Sequence, residues 1–212
     1  MFTTSSWYAL RENPPGGGTV DITKQQAAEY NQNGFGIFAS VNQFDGRRLK
    51  QNLRHINAWY CDYDGPKDQA MQKVCTAPLF PSAIVETRNG YHVYYFAKDA
   101  TTEKYSDICR HVATYFGCKD LLVDTTRILR APGYLHLKQA EPWLVAQISG
   151  LLTNYTEEQI LKAFEVSSKT FDPASAPSDL TEGNIRGLKA LSGTEFVRGD
   201  VFGFRPNANG TF

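Results

Sequence analysis

Short apolar runs of strand length alternate with stretches of helical spacing along the first 166 residues of the chain. Apolar runs bounded by glycine, proline or asparagine predict β-strands over residues 35–41, 58–63, 82–87, 91–96 and 142–148. Apolar residues at helical spacing predict helices over residues 66–76 and 155–166, and a further helix that begins between Asp99 and Thr102 and is closed by Gly117. The mixture predicts an α/β protein, more exactly described as α+β.

Residues typical of turns and helix caps indicate where some of these elements begin and end, more clearly late in the chain than early in it. A short apolar stretch at residues 7–10 is followed by Pro14, Pro15 and three glycines, a composition typical of a loop. A helix is then predicted to begin near Asp21 or Thr23 and to end at Gly34, which gives an N-terminal αβ unit with the strand that follows. Two later boundaries have suitable capping residues: Gly117 at the end of one predicted helix and Thr156 as the N-cap of the last.

Two aspartates lie close together at the end of the strand predicted over residues 58–63. Asp62 and Asp64 are two positions apart, so their side chains leave the same face of the strand. Neighbouring carboxylates repel each other unless a positive charge lies between them, and Mg²⁺ and Mn²⁺ prefer such oxygen ligands. A metal site is therefore one interpretation. Two solvated aspartates at the surface are the other, and a motif this short does not exclude them.

A β-hairpin is predicted around Arg88, Asn89 and Gly90, which separate two β-rich runs. Asn-Gly favours a type I′ turn, and a two-residue turn of this kind would place Thr87 opposite His92 and on the same face. A single histidine on a strand is more often structural than functional. Here, however, both the turn amides and Arg88 are available to bind an anion.

Three cations follow Asp124 within fourteen residues: Arg127, Arg130 and Lys138. Between residues 124 and 141, the only acids are Asp124 itself and Glu141. Arginines that lack local acidic partners around a carboxylate indicate a phosphate-binding site rather than a network of surface salt bridges.

A second basic stretch, with Arg47, Arg48, Lys50 and Arg54, leads into the Asp62 strand. Charge runs of this kind are commonly the solvated face of a helix. Because this run precedes a candidate metal site, we favour contact with a phosphate backbone. The net charge is zero, with 22 basic and 22 acidic residues, so any nucleic-acid contact is expected to come from such local clusters.

Composition narrows the class of protein. The 212 residues are 42% hydrophobic and 13% aromatic, which is typical of a globular domain with a core. No apolar run is long enough to span a membrane and the N-terminus has no signal-peptide pattern, so a cytoplasmic location without a membrane partner is expected.

The four cysteines lack C-x-x-C spacing and are expected to be buried thiols. Cys109 and His111 would point apart on a helix, so zinc binding together with Cys118 is not expected.

Three motifs follow each other along the chain: Asp62-Tyr63-Asp64, then Gly90-Tyr91-His92, then Asp124. The set resembles the archaeo-eukaryotic primase superfamily, in particular the primase-polymerases of plasmids and phages. Members carry a D-x-D/E motif on one strand, a small-x-His motif on a later strand and a third acid after a helix. Residues 127–133 with Lys138 also resemble the segment after the third acid in plasmid-type members. The resemblance extends over residues 35–140.

The resemblance implies an RRM-like antiparallel catalytic sheet flanked by helices. It implies a DNA primase-polymerase, which transfers nucleotides from ribo- or deoxyribonucleoside triphosphates to a 3′-hydroxyl on single-stranded or primed DNA during plasmid or phage replication. The implied catalytic residues are Asp62, Asp64, Asp124 and His92, and the three aspartates would hold two Mg²⁺ or Mn²⁺ ions without structural zinc. The residues expected to bind the nucleotide are His92, Arg88, Arg127, Arg130 and Lys138.

Residues 167–212 differ in composition from the rest of the chain. Residues 167–178 are rich in serine, proline and alanine, which is typical of a linker, and a short helix is predicted over residues 181–191. We therefore predict a catalytic domain over residues 1–166 and a linker-like segment over residues 167–212. Primase-polymerases commonly continue into a helical or helicase region, so this segment is compatible with a helicase or accessory domain after it.

Two other functions are compatible with parts of the pattern. A metal-dependent glycosyltransferase also uses a D-x-D motif, but it would not explain His92 together with the cations from Arg127 to Lys138. A non-catalytic module that binds single-stranded nucleic acid would use the hairpin aromatics as stacking platforms. Those aromatics are Tyr91, Tyr94, Tyr95 and Phe96.

Overall fold

The computed structural model describes residues 5–119, 121, 123–149 and 152–165 of the chain. The helices in these ranges are α1 (Ala27–Gln32), α2 (Lys67–Thr76), α3 (Thr102–Phe116) and α4 (Glu157–Glu165). The strands are β1 (Trp7–Glu12), β2 (Pro15–Ile22), β3 (Phe35–Ser40), β4 (Gln43–Phe44), β5 (Leu53–His55), β6 (Ala58–Asp64), β7 (Ala83–Glu86), β8 (Gly90–Ala97), β9 (Ile128–Arg130), β10 (Leu135–His136), β11 (Trp143–Leu144), β12 (Ala146–Ser149) and β13 (Asn154–Tyr155). The predicted linker-like segment and the helix predicted over residues 181–191 lie outside the described residues.

The first sheet, called here the amino-terminal sheet, has the strand order β2-β1-β3-β9. Every neighbouring pair in it is antiparallel. Strand β9 comes from the segment after Asp124, far along the chain from β1. The amino-terminal sheet therefore joins the start of the chain to the predicted cation cluster.

Residues 15–18, predicted as a loop, instead form the beginning of β2. This stretch of proline and glycine can form a strand because β2 is an exposed edge strand, where both residues are tolerated. The following helix does not begin at Asp21, which lies in β2. Instead, Thr23 caps a 3₁₀ turn at Lys24–Gln26 that leads into α1, and Gly34 follows α1 with a φ of 89°.

The second sheet, called the central sheet, is organised around β8. Strand β8 pairs antiparallel with all seven residues of β6. It also pairs antiparallel with β7 and in parallel with the short β13, and β7 in turn pairs with β12. The strand that carries Asp62 is therefore hydrogen bonded to the strand that carries His92. The mixture of helices with mainly antiparallel sheets confirms the predicted α+β fold.

The main core packs against the central sheet. The apolar stripe predicted on α3 is buried, and the helix ends at Gly117 with a left-handed φ of 73°, as predicted. Burial of large apolar side chains is the main stabilising contribution to such a domain, and it holds β6 and β8 in place. The largest fully buried side chains of this core are Trp59, Tyr95, Tyr105, Phe116 and Phe164.

The hairpin between β7 and β8 has a different register from the predicted one. Its turn is centred on residues 88–89, with the Thr87 N–H donating to the Gly90 carbonyl at 2.9 Å, and His92 lies opposite Val85. Neither central residue has a positive φ, whereas a type I′ turn requires one at both. The predicted pairing of Thr87 with His92 is thus wrong by two residues. A shift of two preserves the face, so these two side chains still share one.

Other predicted segments differ in detail. The basic stretch is not a helix: it contains a 3₁₀ turn at Lys50–Asn52 and strand β5, which pairs with β4. The strand predicted over residues 142–148 is divided into β11, paired with β10, and β12, paired with β7. Helix α4 begins directly after Thr156, whose hydroxyl accepts from the Gln159 N–H at 3.2 Å, so this predicted N-cap is confirmed.

All four cysteines are free thiols, and Cys61, Cys109 and Cys118 are buried as predicted. Cys75 is partly exposed. Burial raises the pKa of the Cys109 thiol to about 12, which makes it an unreactive core residue at neutral pH. Among the described helices, none combines the length and the apolar character needed to cross a membrane.

Candidate active site

An open pocket of about 650 Å³ is lined by residues from both sheets. Leu10 and Phe38 belong to the amino-terminal sheet, and the acidic residues of β6 belong to the central sheet. Arg88 does not line the pocket, and its guanidinium donates instead to the backbone carbonyl of Glu141. The other predicted site residues all line this one pocket: Asp62, Asp64, His92, Asp124, Arg127, Arg130 and Lys138.

Asp62 and His92 are directly opposite each other across β6 and β8, so the register of the sheet determines their proximity. Asp62 Oδ1 lies 3.5 Å from His92 Nε2, and the histidine side chain is only 4% exposed. Burial lowers the pKa of His92, and the Asp62 carboxylate opposes this effect without reversing it. The imidazole is therefore neutral at neutral pH and can donate a hydrogen bond without adding charge.

Asp64 ends β6 and lies opposite Gly90. A Cβ at Gly90 would lie 1.8 Å from the backbone carbonyl oxygen of Tyr63, so only glycine fits at this position. Burial, and after it the neighbouring Asp62 carboxylate, raise the pKa of Asp64. The negative charge of Asp62 beside Asp64 forms an electrostatic setting that favours a bound cation.

Asp124 lies in a turn between α3 and β9, outside any helix or strand. Its Oδ1 accepts hydrogen bonds from the backbone N–H and the hydroxyl of Thr126, both at 2.7 Å. Burial alone would raise the pKa of Asp124, but the Thr126 hydrogen bonds and the nearby charges of Lys50 and Arg127 outweigh it and lower this pKa. The turn therefore favours the ionised carboxylate.

The turn after Asp124 is held by side chains from an earlier part of the chain. Asn42 is fully buried and donates to the Thr125 carbonyl at 3.0 Å. Arg48 lines the pocket and donates to the Thr126 carbonyl. The basic stretch thus contributes one cation to the pocket wall, where it also supports the backbone that carries the third acid.

Arg130 has an acidic partner, contrary to the prediction from its neighbours in sequence. Arg130 Nη2 donates to Oε1 of Glu12 at 2.6 Å, across a sequence separation of 118 residues. The second Glu12 oxygen accepts from the Leu137 N–H at 2.9 Å, and the Glu12 side chain is fully buried. The Arg130 guanidinium also lies 4.8 Å from the centre of the Phe38 ring. Only the strand order of the amino-terminal sheet brings these residues together.

Glu12 and His136 are not among the site residues that the sequence predicts. Glu12 is a charged residue at the end of the otherwise largely apolar strand β1, a detectable sign of a buried ion pair, but its partner is not readable from the strand. His136 lies on β10, is 6% exposed and lines the pocket. Nothing in the neighbouring sequence distinguishes it from a structural histidine.

The acidic residues of the pocket match Mg²⁺ or Mn²⁺ in their donor chemistry, since all three provide carboxylate oxygens. Within the described ranges, no three His, Cys, Asp or Glu side chains are grouped closely enough to form a metal cluster. Asp124 in particular is engaged by Thr126. A site shared by all three therefore requires the Asp124 carboxylate to approach the pair formed by Asp62 and Asp64.

The hairpin aromatics do not form a surface for nucleic-acid bases. Tyr91, Tyr94 and Tyr95 are 6%, 3% and 0% exposed, and Phe96 packs partly buried against the same core. Stacking platforms must present a ring face to the solvent. The interpretation of these residues as stacking platforms is therefore wrong.

Solved structures with the same fold are primase domains. The AEP domain of the primase-polymerase of cyanophage S-2L has a TM-score of 0.62 at 18% identity, over 76% of this chain and 89% of that one. The primase RepB′ has a TM-score of 0.56 at 14% identity, over 88% of this chain and 63% of that one, so the chain matches less than two thirds of it. The catalytic domain of RepB′ in complex with initiator DNA has a TM-score of 0.55 at 14% identity, over 78% and 87%.

None of the curated proteins compared with this chain matches it. The family model of the RepB DNA-primase N-terminal domain matches residues 23–167, well over half of the chain. The matched region includes every site residue predicted from the sequence and begins after Glu12. It supports a primase-type function over the glycosyltransferase interpretation. The chain belongs to the RepB DNA-primase N-terminal domain family.

Proposed function

We propose that this domain is a primase-polymerase, which transfers a nucleotide from a nucleoside triphosphate to a 3′-hydroxyl on a DNA template and releases pyrophosphate. The observation that carries the proposal is the composition of one pocket. Carboxylates suit the metal ions of nucleotidyl transfer and cations suit the triphosphate. The pocket combines both: Asp62, Asp64 and Asp124 with Arg127, Arg130 and Lys138.

In this proposal, Asp62, Asp64 and Asp124 hold two Mg²⁺ or Mn²⁺ ions. Two bound ions stabilise the attacking and leaving oxygens of an in-line displacement at phosphorus. Two features of the fold suit these three carboxylates to metal binding. Asp62 and Asp64 share one face of β6, which its pairing with β8 holds in place, and Thr126 favours the ionised form of Asp124.

The triphosphate is bound by His92, Arg127, Arg130 and Lys138. The cations oppose the negative charge that develops on the leaving pyrophosphate. The Arg130 guanidinium is already oriented by Glu12, so little side-chain freedom is lost when it binds a phosphate. His92 donates a hydrogen bond as a neutral imidazole, and none of these groups needs to accept a proton.

DNA is the second partner that we propose. The catalytic domain of RepB′, which shares the fold, was solved with initiator DNA. In this chain, Arg47 and Lys50 are exposed on either side of the pocket residue Arg48, where they can contact template phosphates. Because the net charge of the chain is zero, such local contacts would dominate the salt dependence of binding.

The test is incorporation of labelled ribo- and deoxyribonucleotides on primed and unprimed single-stranded templates, with Mg²⁺ or Mn²⁺. Asp64→Asn removes a proposed ligand, and Asp68→Asn, exposed on α2 outside the pocket, is the matched control. Template-dependent incorporation by the wild type and by Asp68→Asn, and its loss in Asp64→Asn, would support the proposal. DNA binding without incorporation under any of these conditions would contradict it and leave a non-catalytic binding role.

A further inference from the structure

His136 is a buried side chain in the pocket wall that has no hydrogen-bond partner among the residues that the structure describes. Only 6% of its surface is exposed, and neither ring nitrogen is bonded within the part of the chain that the structure describes. It lines the same pocket as Asp62 and Arg130. Buried polar groups nearly always have partners, and one without a partner lowers the stability of the fold. The two ring nitrogens of His136 are therefore available to form hydrogen bonds with a ligand.

The backbone on both sides of His136 is fixed. The Leu135 N–H donates to Asn31 Oδ1 at 2.9 Å, and the Leu137 N–H donates to Glu12 Oε2 at 2.9 Å. Strand β10 is also paired with β11. The imidazole is thus held in the pocket wall by the fold and does not lie on an unsupported loop.

The charges around His136 favour an anion beside a neutral imidazole. Burial and the Arg130 charge lower the pKa of His136 to about 4, with Lys138 and Arg88 acting in the same direction and Glu12 opposing them. At neutral pH the ring therefore carries one N–H donor and one acceptor nitrogen. The same cations attract an anionic ligand to this wall, where the N–H can donate to it.

We propose that His136 is a second histidine that binds the nucleotide, donating a hydrogen bond to an oxygen of its triphosphate beside Arg130 and Lys138. This inference rests on the proposed function and extends it, because His136 belongs to none of the motifs that define the predicted site. Because the triphosphate is the part of the nucleotide that cations attract, one of its oxygens is the expected acceptor of the His136 hydrogen bond.

The test compares variants of the full 212-residue chain. His136→Phe keeps a ring of similar shape without hydrogen-bonding atoms, and His136→Asn and His136→Gln place an amide N–H near one or the other ring nitrogen. His55→Phe, on the exposed β5 residue His55, is the matched control. Affinities for dATP and for inorganic tripolyphosphate are measured by calorimetry with Mn²⁺, without DNA and below the unfolding temperature of every variant.

We expect His136→Phe to weaken both dATP and tripolyphosphate binding by about tenfold or more, the usual effect of losing a hydrogen bond to a charged group. At least one of the amide variants should recover part of the loss, and His55→Phe should bind as the wild type does. The unfolding temperature of the nucleotide-free His136→Phe protein should be no lower than that of the wild type, because an unpartnered polar group has been removed. If the phenylalanine variant does not fold, the amide variants are compared with His136→Ala.

Wild-type affinity in His136→Phe, or no recovery by either amide, would overturn the inference. A loss of dATP affinity without a loss of tripolyphosphate affinity would also overturn it, because the contact would then be with the sugar or base. If the wild type incorporates nucleotides while every His136 variant binds tripolyphosphate equally well, only the inference fails. If the wild type neither binds dATP nor incorporates nucleotides, the proposed function fails, and the inference fails with it.

Discussion

Arg130 is bonded on one side to a fully buried carboxylate and faces the open pocket on the other. The Glu12 charge offsets part of the positive charge of Arg130 and holds its guanidinium in one orientation. In the proposed site, a phosphate would therefore meet an oriented pair of N–H donors, which a mobile lysine would not provide. The proposed role of Arg130 and the stability of the sheet would consequently depend on the same ion pair.

Replacing Arg130 with alanine should weaken nucleotide binding and also destabilise the fold, because Glu12 would remain buried without its partner. Loss of one member of a buried ion pair costs about 3–5 kcal/mol. The double variant Glu12→Gln/Arg130→Ala should recover much of this stability but none of the affinity for dATP. Thermal unfolding and calorimetric titration measure the two effects separately. Wild-type dATP affinity in the double variant would show that Arg130 does not bind the nucleotide.

The same variants separate nucleotide binding from template binding. If Arg130 contacts the triphosphate, affinity for single-stranded DNA and its salt dependence should be unchanged in the double variant. If it follows the template backbone instead, the slope of log affinity against log salt should fall by about 0.7 for each lost contact. Arg130→Lys should recover only part of the lost function, because a point charge does not reproduce the two-pronged guanidinium.

Asp64→Asn should abolish nucleotide incorporation without lowering the unfolding temperature of the metal-free protein. The substitution removes a proposed ligand and also removes a charge that Asp62 repels. Asp124→Asn should abolish incorporation too, but it should lower the unfolding temperature, because Thr126 donates two hydrogen bonds to that carboxylate. Primer extension and thermal unfolding test both. Substantial extension by Asp64→Asn would contradict the assignment of the acids to metal binding.

Site residues could be predicted from the sequence where strand geometry alone determines their direction. Asp62 and Asp64 share a face because they are two positions apart, and His92 was placed on its face correctly even though its partner was wrong by two. Partners distant in sequence could not be predicted. Glu12 and Arg130 are 118 residues apart, and no local pattern indicates that they meet.

At the scale of the elements, the close approach of β6 and β8 makes Gly90 indispensable. Gly90→Ala should destabilise the protein and reduce incorporation, because a Cβ 1.8 Å from the Tyr63 carbonyl oxygen must push β6 away and separate Asp62 from His92. Gly18→Ala is the matched control, since its Cβ meets no atom of a described residue within 4 Å and its φ is not left-handed. Thermal unfolding and primer extension compare the two. Equal behaviour of both variants would mean that the sheet accommodates the methyl group.

Glu157, the first residue of α4, forms hydrogen bonds with the residues that precede α3. Its Oε2 accepts from the N–H and the hydroxyl of Thr101, at 2.7 and 2.8 Å, and its Oε1 lies 3.3 Å from Lys104 Nζ. The Glu157 N–H in turn donates to Asp99 Oδ1 at 2.7 Å. Burial alone would raise the pKa of Glu157, but the hydrogen bonds from Thr101 and the interaction with Lys104 lower it.

Glu157→Gln should therefore lower the free energy of unfolding by about 1–2 kcal/mol at neutral pH, and the difference should disappear in acid. A carboxyl whose pKa is lowered by folding stabilises the protein above its unfolded pKa of about 4.3, and this contribution is lost as the pH falls through the lower folded pKa. Thermal unfolding of both proteins from about pH 7 to about pH 3 measures the change. A constant difference over that range would exclude a role for the charge.

Elements were predictable where local pattern and tertiary context agree. The apolar stripe of α3 and its final Gly117 indicate the same helix that the core requires. In β2, residues 15–18 have a loop composition, and pairing with β1 overrides it. The predicted position of the hairpin turn is wrong because the Asn-Gly pair is typical of a turn that includes the glycine. In the structure Gly90 lies in β8, where its close contact with the Tyr63 backbone requires glycine.

At the scale of the whole molecule, the pocket takes its residues from both sheets, so a bound nucleotide should stabilise the domain as a unit. With Mn²⁺, dATP at about one hundred times its Kd should raise the unfolding temperature by roughly 5–10 °C. EDTA should abolish this increase and the incorporation of nucleotides while leaving the unfolding temperature of the free protein unchanged, because the core is built from apolar side chains. Thermal unfolding with and without each component provides the measurement.

Elemental analysis of the purified protein is the control for this prediction, and no stoichiometric zinc is expected. One tightly bound zinc per chain would contradict the expectation and support a zinc site at Cys109, His111 and Cys118. A fall in the unfolding temperature of the free protein on addition of EDTA would likewise indicate a structural metal.

The ion pair between Glu12 and Arg130 also imposes an order on events during synthesis. Glu12 is made 118 residues before its partner, a delay of roughly 6–24 s at about 5–20 residues per second. Until β9 is made, β3 lacks this neighbour, and the Glu12 carboxylate, fully buried in the folded protein, lacks Arg130 as its partner. The nascent chain can complete its first hairpin early, but the pocket lined by Arg130 can form only after the ribosome has passed that residue.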